Sequence, residues 1–336
     1  MATSSYFGRN SFVGIGLESS AYGTAAAEAA VTRPIISCSM LRQIEKVPRP
    51  NLRVAGVAGL RKGHFIASDK VTGSLAIEAT YDNCGYFMNQ ALGASSSDVS
   101  GTPEVHTYTM GDVPINGNTL FLQRGTGDNY ERFEGCVINT LTCSVATGEA
   151  MTMEMELIGE TSTSSAGNAR HDSPSLTFAE PTNENLVLHH HAGTLNWNSQ
   201  TITLMDFEYK LENGLAERMR LGSLLTKQPV QSDYRSATIT VSFETDDATY
   251  QSFIADTVSD CVVTFNNGIS SPAANEREMK FSLNAAYIES YTDEVTETGL
   301  VTASVTFRAQ ADGTSGLALG TNIITKNAAS SAVHGG

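Results

Sequence analysis

Basic residues are scarce in this chain. Its 336 residues hold 21 lysines and arginines against 36 aspartates and glutamates, a formal net charge of −15. The deficit runs throughout, with 11 basic and 16 acidic residues in 1–165 and 10 against 20 in 166–336. So acidic a surface is soluble and repels phosphate, which excludes specific DNA binding over most of it. Cysteine is sparse too. Cys38, Cys84, Cys136, Cys143 and Cys261 are odd in number and form no CxxC pair. They read as reduced thiols of a protein assembled in a cytosol, not as a disulfide framework. No run approaches the roughly 18 apolar residues of a membrane span, and no basic stretch leads an apolar core at the N-terminus. Sequons for N-glycosylation are also lacking.

Motifs that carry chemistry fail their context tests. Gly14-x-Gly16 has Ser19 where a dinucleotide loop needs its third glycine, no βαβ pattern follows, and no GxxxxGK[ST] occurs. In His189-His190-His191 at most His189 and His191 share a strand face, and further zinc ligands are missing, so the run reads as a surface or interface cluster. His171 beside Asp172 lacks a GxSxG elbow. Glu154 and Glu156 share a face but lack the aromatic neighbourhood of a glycosidase, and the single Trp197 argues against a carbohydrate cleft. The expectation is a non-enzymatic protein with no cofactor and no metal.

What the chain has in abundance is alternation. "VTGSLAIEA" (71–79) puts Val71, Gly73, Leu75, Ile77 and Ala79 on one face, with Thr72, Ser74, Ala76, Glu78 and Thr80 on the other. "MTMEMEL" (151–157), "ATITVSFET" (237–245) and "LVTASVTFRA" (300–309) repeat the pattern. Such runs are strands with one buried and one wetted side. Two stretches, 82–92 and 246–258, read as short helices, each opened by a capping aspartate, Asp82 and Asp246. The Ser/Thr/Gly-rich 159–173 reads as a linker and 326–336 as a frayed tail.

The two parts also resemble each other. A shift of 164 lays Ile77 on Val241, Leu75 on Ile239 and Tyr86 on Tyr250, while 147–160 answers 298–311 and 51–57 lies near 218–224. This order of strand, long loop, strand, helix and late hairpin predicts an internal duplication: a first β domain at 1–165, a second at 166–325, and a flexible tail at 326–336.

The opening "GIGLESSAYGTAA", followed by "RPIISCSM" (33–40), a long loop and "VTGSLAIEA", resembles the N-terminal part of major tail tube proteins of long, flexible-tailed (siphovirus-like) bacteriophages. The resemblance is strongest over 11–92. It implies two tandem tail-tube β-sandwich or barrel domains, each with a short α-helix. It also implies a structural virion protein, assembled in the host bacterial cytoplasm, whose rings stack head to tail around a channel. That channel would hold a tape-measure protein and later pass DNA during ejection without binding it specifically. A tail terminator and distal tail proteins would be further partners. With both halves of this type, three chains would make a pseudo-sixfold ring. The alternative is a β-sandwich binding module, such as a capsid decoration or an adhesin-like protein.

Two residue sets follow. Thr72, Ser74, Glu78, Glu154, Glu156, Thr238, Thr240 and Glu244 lie on polar strand faces free of Lys and Arg, as a lumen requires; ordinary solvated faces would have the same composition. Arg308 departs from the pattern and is expected to pair with a carboxylate. Positive charge gathers at 41–62, where Arg42, Lys46, Arg49, Arg53, Arg61 and Lys62 face only Glu45, and again near 217–227 with Arg218, Arg220 and Lys227. Both read as loops, either docking on an acidic neighbouring ring or simply solvated. The glycines of "SFVGIGLESSAYGT" read as bends in an N-terminal arm that packs on a neighbour.

Overall fold

Alternation becomes sheet. The computed structural model describes residues 11–18, 21–24, 26, 31–48, 63–81, 84–98, 104–111, 117–123, 130–163, 193–245, 250–251, 253, 257–268, 277–294, 301–311 and 320–327. The first half runs β1 (Phe12–Leu17), β2 (Val31–Pro34), β3 (Ser37–Cys38), β4 (Leu41–Pro48), β5 (His64–Glu78), α1 (Gly85–Leu92), β6 (Gly93–Asp98), β7 (Glu104–Met110), β8 (Asn118–Gln123), β9 (Tyr130–Val145), β10 (Thr152–Gly159) and β11 (Thr161–Thr163). The second half runs β12 (Gly193–Trp197), β13 (Gln200–Thr203), β14 (Asp206–Glu212), β15 (Leu215–Arg218), β16 (Lys227–Gln231), β17 (Ser236–Glu244), β18 (Ser259–Asn266), β19 (Glu278–Glu294), β20 (Thr302–Ala309) and β21 (Thr321–Asn327). The fold is mainly β, and its named strands pair antiparallel, as a β-sandwich requires.

One sheet runs through both halves. Its strands follow the order β4–β5–β10–β9–β14–β17–β20–β19, with β3 continuing β4 along the edge of β5. The two longest strands serve two layers each. The start of β9 pairs with β8 and β11, and its end with β10 and β14. Likewise the start of β19 lies between β18 and β21, and its end pairs with β20. A second link between the halves comes from β7, which pairs with β21.

Strands β5, β9 and β10 have counterparts in β17, β19 and β20. A bulge interrupts β9–β10 between Glu156 and Leu157, and one interrupts β19–β20 between Ile288 and Ser290, opposite Thr306 and Phe307. These bulges place Glu156 over Thr306, a shift of 150, and cross-strand pairing then places Ser74 over Thr240, a shift of 166. Gly135 (φ 69°) falls over Ala285 (φ 57°), so the same left-handed backbone recurs at matched positions. The alignment read from the sequence shifts by two residues at β5, where Ile77 answers Phe243. At β10 it is corrected by one residue, which restores the match of buried faces.

Apolar sides of these strands fill the core. Leu75, Ile77, Met153, Met155, Tyr209, Ile239, Val305 and Phe307 are all fully buried. Phe281 packs at 5.0 Å from Phe207 and 5.3 Å from Tyr209 between ring centroids. Burying each such side chain contributes about 1.5–3 kcal/mol. Every residue of α1 is buried, which explains why "GYFMNQAL" carries no charge.

Several local expectations are corrected. Helix α1 is capped by Cys84, without a side-chain cap hydrogen bond, rather than by Asp82, which lies outside the described residues. In the second stretch Tyr250, Gln251 and Phe253 are helical and Thr257 and Val258 are not; Asp246 is outside the described residues. Of the expected linker 159–173, Gly159 ends β10 and Thr161–Thr163 form β11, and 164–173 lie outside the described residues; Lys326 and Asn327 pair with β7 rather than fray. Residues 12–17 lie between β2 and β8 of their own chain, so the arm reading is left only to residues 1–10, outside the described set. Gly14 and Gly16 are strand residues paired to Phe121 and Thr119, not bends.

Candidate functional site: a polar sheet face

Period two fixes which side chains share a side of the sheet, and register fixes their neighbours. Residues opposite each other in an antiparallel pair project to the same face. Glu78 faces Thr152, Ser74 faces Glu156 and Thr72 faces Ile158 across β5–β10, with Glu154 between. The row continues through Thr140, Thr142 and Ser144 of β9 to Glu212, Lys210 and Glu208 of β14. It then passes to Ser236, Thr238 and Thr240 of β17, and to Arg308, Thr306 and Ser304 of β20. Glu244 closes the row opposite Thr302. All eight residues read from the sequence as one polar set thus lie on one face of one sheet.

The face is acidic and hydroxyl-rich. Glu78, Glu154, Glu156, Asp206, Glu208, Glu212 and Glu244 stand on it against three cations, Lys210, Arg308 and Lys70, the last of these lying two residues before Thr72 on β5. All three are engaged, Lys70 with Glu217 at 2.7 Å. Lys210 Nζ lies 2.6 Å from Glu212 Oε1, and Arg308 Nη1 lies 2.7 Å from Glu289 Oε1, as expected for Arg308. The hydrogen bond from Lys210 holds the Glu212 carboxyl below its ordinary range, and Glu289 raises the Arg308 guanidinium. Hydroxyls satisfy one another or a carboxylate: Thr140 donates to Glu156 at 3.0 Å, Ser236 to Glu212 at 3.1 Å, and Thr240 meets Thr306 at 3.2 Å. Such a surface offers phosphate no uncommitted cation among the described residues.

Asp206, Glu208 and Glu212 were missed by sequence reading, although "DFEYKLE" alternates as plainly as the strands chosen. The hydroxyls of "NTLTCSV" in β9 were missed for the same reason.

The basic stretches are not both loops. Arg42 and Lys46 lie on strand β4, and Arg42 is held by Asp69 on β5. Arg49, Arg53, Arg61 and Lys62 lie outside the described residues. Arg218 ends β15 and Lys227 opens β16, so 217–227 is mostly a hairpin, with Arg220 in its turn. Each half therefore extends a two-stranded arm, β4–β5 and β15–β16. The arms touch through Lys70 and Glu217 at 2.7 Å and through the Asp69 N–H, which donates to the Leu224 carbonyl at 2.9 Å. Ile44, Phe65 and Ile66 are exposed on the first arm, and Met219 and Leu221 on the second. His189-His190-His191, His171 and Asp172 lie outside the described residues.

The opening motif has an internal role instead. Glu18 is fully buried and accepts hydrogen bonds from Gly23 N–H (2.8 Å), Gly135 N–H (2.7 Å) and Thr119 Oγ1 (3.1 Å). Burial pushes its carboxyl up despite these donors. Gly23 sits at φ 76°, in the left-handed region that favours glycine, and a Cβ there would also force the Glu160 carboxylate to move.

Comparison with known proteins bears on this geometry. The family model described as phage tail tube protein matches residues 8–309. No curated protein matches the chain.

Proposed function

We propose, from the premise that the chain belongs to the phage tail tube protein family, that it is a non-enzymatic ring subunit whose polar sheet face lines the bore. The observation that carries this reading is the continuous acidic face, spanning both halves, on which each of the three cations is ion-paired. DNA retention grows with each phosphate–cation contact through counterion release, so a wall of this kind lets a duplex slide. The correspondence of β5, β9 and β10 with β17, β19 and β20 supports two tandem tail-tube domains, 1–165 and 166–325, and hence a ring of three chains with pseudo-sixfold symmetry.

Strand spacing favours three chains over two. Each chain supplies eight strands to the sheet. At about 4.8 Å per strand, three chains close a backbone circle of about 37 Å before tilt widens it. Side chains of about 5 Å from each wall leave a bore of roughly 27 Å, wider than a duplex. Two chains would leave about 14 Å, which is too narrow.

Rings would stack through the arms, with Arg42, Lys46, Arg49, Arg53, Arg61, Lys62, Arg218 and Arg220 facing the acidic ring beyond, supplemented by the exposed apolar residues of both arms. The resulting tube belongs in the tail of a siphovirus-like virion, built in the host cytoplasm around a tape-measure protein and ended by terminator and distal tail proteins. Electron microscopy of the purified protein tests this reading. Rings or hollow tubes with threefold-modulated sixfold end views are expected. Discrete monomers under all assembly conditions would overturn it in favour of a binding module.

A further inference from the structure

Within the polar-faced sheet, the two halves of the chain meet at the β9–β14 joint. There the end of β9 lies against β14, with Thr142 opposite Lys210, Thr140 opposite Glu212 and Leu141 opposite Leu211. Through the matched bulges, Thr140, Leu141 and Thr142 correspond to Ser290, Tyr291 and Thr292 of β19. Through their pairing with β5 and β17, Lys210, Leu211 and Glu212 correspond to Leu41, Arg42 and Gln43 of β4. Both counterparts are edges. Among the described residues, 290–294 of β19 have backbone pairing only with β20, and β4 only with β5.

Exposure points the same way. At the internal joint Leu141, Tyr209 and Leu211 are fully buried. The counterparts of Leu141 and Leu211 at the free edges, Tyr291 and Arg42, are only half-buried, Ile36 beside β3 is 58 % exposed, and Val258, just after the second helical stretch, is 57 % exposed. Tyr250, which stacks edge-on against Tyr291 of β19 at 5.7 Å, is also exposed. Open strand edges flanked by exposed apolar side chains are aggregation hazards unless another strand covers them.

We propose that the end of β19 of one copy pairs antiparallel with β3–β4 of the next, in the register of the internal joint: Thr292 opposite Leu41 and Ser290 opposite Gln43. This rests on the ring reading above and names the edges and register that would close it. The occupant is a second copy of this chain, because its own β14 already shows the geometry that such an edge accepts. Repeating one joint at each boundary makes a closed ring and leaves no open edge in the wall.

Paired cysteines test the register. In a Cys38→Ser background, Leu41→Cys with Thr292→Cys should give covalent dimers and trimers under mild oxidation of assembled protein, read on a non-reducing denaturing gel. Offset pairs, Ser39→Cys or Gln43→Cys with Thr292→Cys, should cross-link at least tenfold less. Leu41 and Thr292 are exposed, and each single variant, checked for unchanged melting, controls for folding. Preferred cross-linking of an offset pair would overturn the register while leaving the ring. Normal rings in which no pair cross-links would overturn the proposed edges alone. Monomers with no cross-link would overturn both this inference and the ring.

Discussion

Replacing Arg235 should loosen the link between the halves, and the structure allows the effect to be sized. Its guanidinium, from the strand-entry segment before β17, donates to Asn213 Oδ1 at 2.9 Å and to the Gly111 carbonyl at 2.5 Å. It also donates to the last carbonyls of α1, Ala91 at 3.3 Å and Leu92 at 3.2 Å. These carbonyls have no partner within the helix, so the cation both caps them and meets the negative end of the helix dipole. Charged hydrogen bonds contribute about 1.5–3 kcal/mol each when well formed, and two here are short. Arg235 is half-buried, so discounting for solvent leaves about 3 kcal/mol for Arg235→Ala. In urea, with a slope of about 3 kcal/mol/M, the midpoint should fall by ~1 M. Arg235→Lys keeps the charge but not the fork that reaches three elements, and should recover less than half of the loss. A midpoint for Arg235→Ala within about 0.2 M of wild type would refute the assigned role.

Other predictions concern the face, the opening motif and the arms. Glu78→Lys with Glu244→Lys should leave assembly intact but slow DNA ejection at low salt, because each phosphate contact adds about −0.9 to the salt slope; the delay should vanish at high salt, and normal ejection at low salt would contradict the bore assignment. Glu18 takes up its proton at higher pH in the folded chain than its ordinary 4.5, so the folded state binds more protons in that window and stability falls as pH rises through it. Glu160 behaves likewise, chiefly through burial, with Glu134 and Tyr22 nearby. Melting of wild type and Glu18→Gln at about pH 5 and pH 7.5 should show the wild type gaining on the variant as pH falls; a constant difference would exclude Glu18 as the cause. Neutralising Arg49, Arg53 and Arg61 should yield rings that fail to stack, seen as single annuli by microscopy; tubes of normal length would remove the docking role.

Strands were legible in the sequence because burial on one side imposes period two, and every alternating run quoted is a strand. The polar face was legible for the same reason, as far as its members on β5, β10 and β17. What period two does not encode is partner choice, and so the meeting of β9 with β14 could not be read from either strand. The offset between corresponding strands falls from 166 at β5 to 150 at β10, so the connections differ in length, and loops carry no period by which an ungapped comparison could place the change; it therefore slipped by one residue or two. Glu18 illustrates the opposite failure. A glutamate at the end of an apolar strand looks like a surface residue, and only folding brings Gly135 and Thr119 to it. Basic residues on β4 looked like loop because Pro48 and the glycines beyond it dominate that stretch, although "LRQIEKV" pairs in register with β5.

The most direct test of the central claim is a helical reconstruction of the assembled polymer, asking which side of the β5–β10–β9–β14–β17–β20 sheet lies at the smallest radius. The account predicts that Glu78, Glu154, Lys210 and Thr240 face the axis, in a ring of three chains. A sheet turned the other way, with this face on the outer surface or between rings, would contradict it.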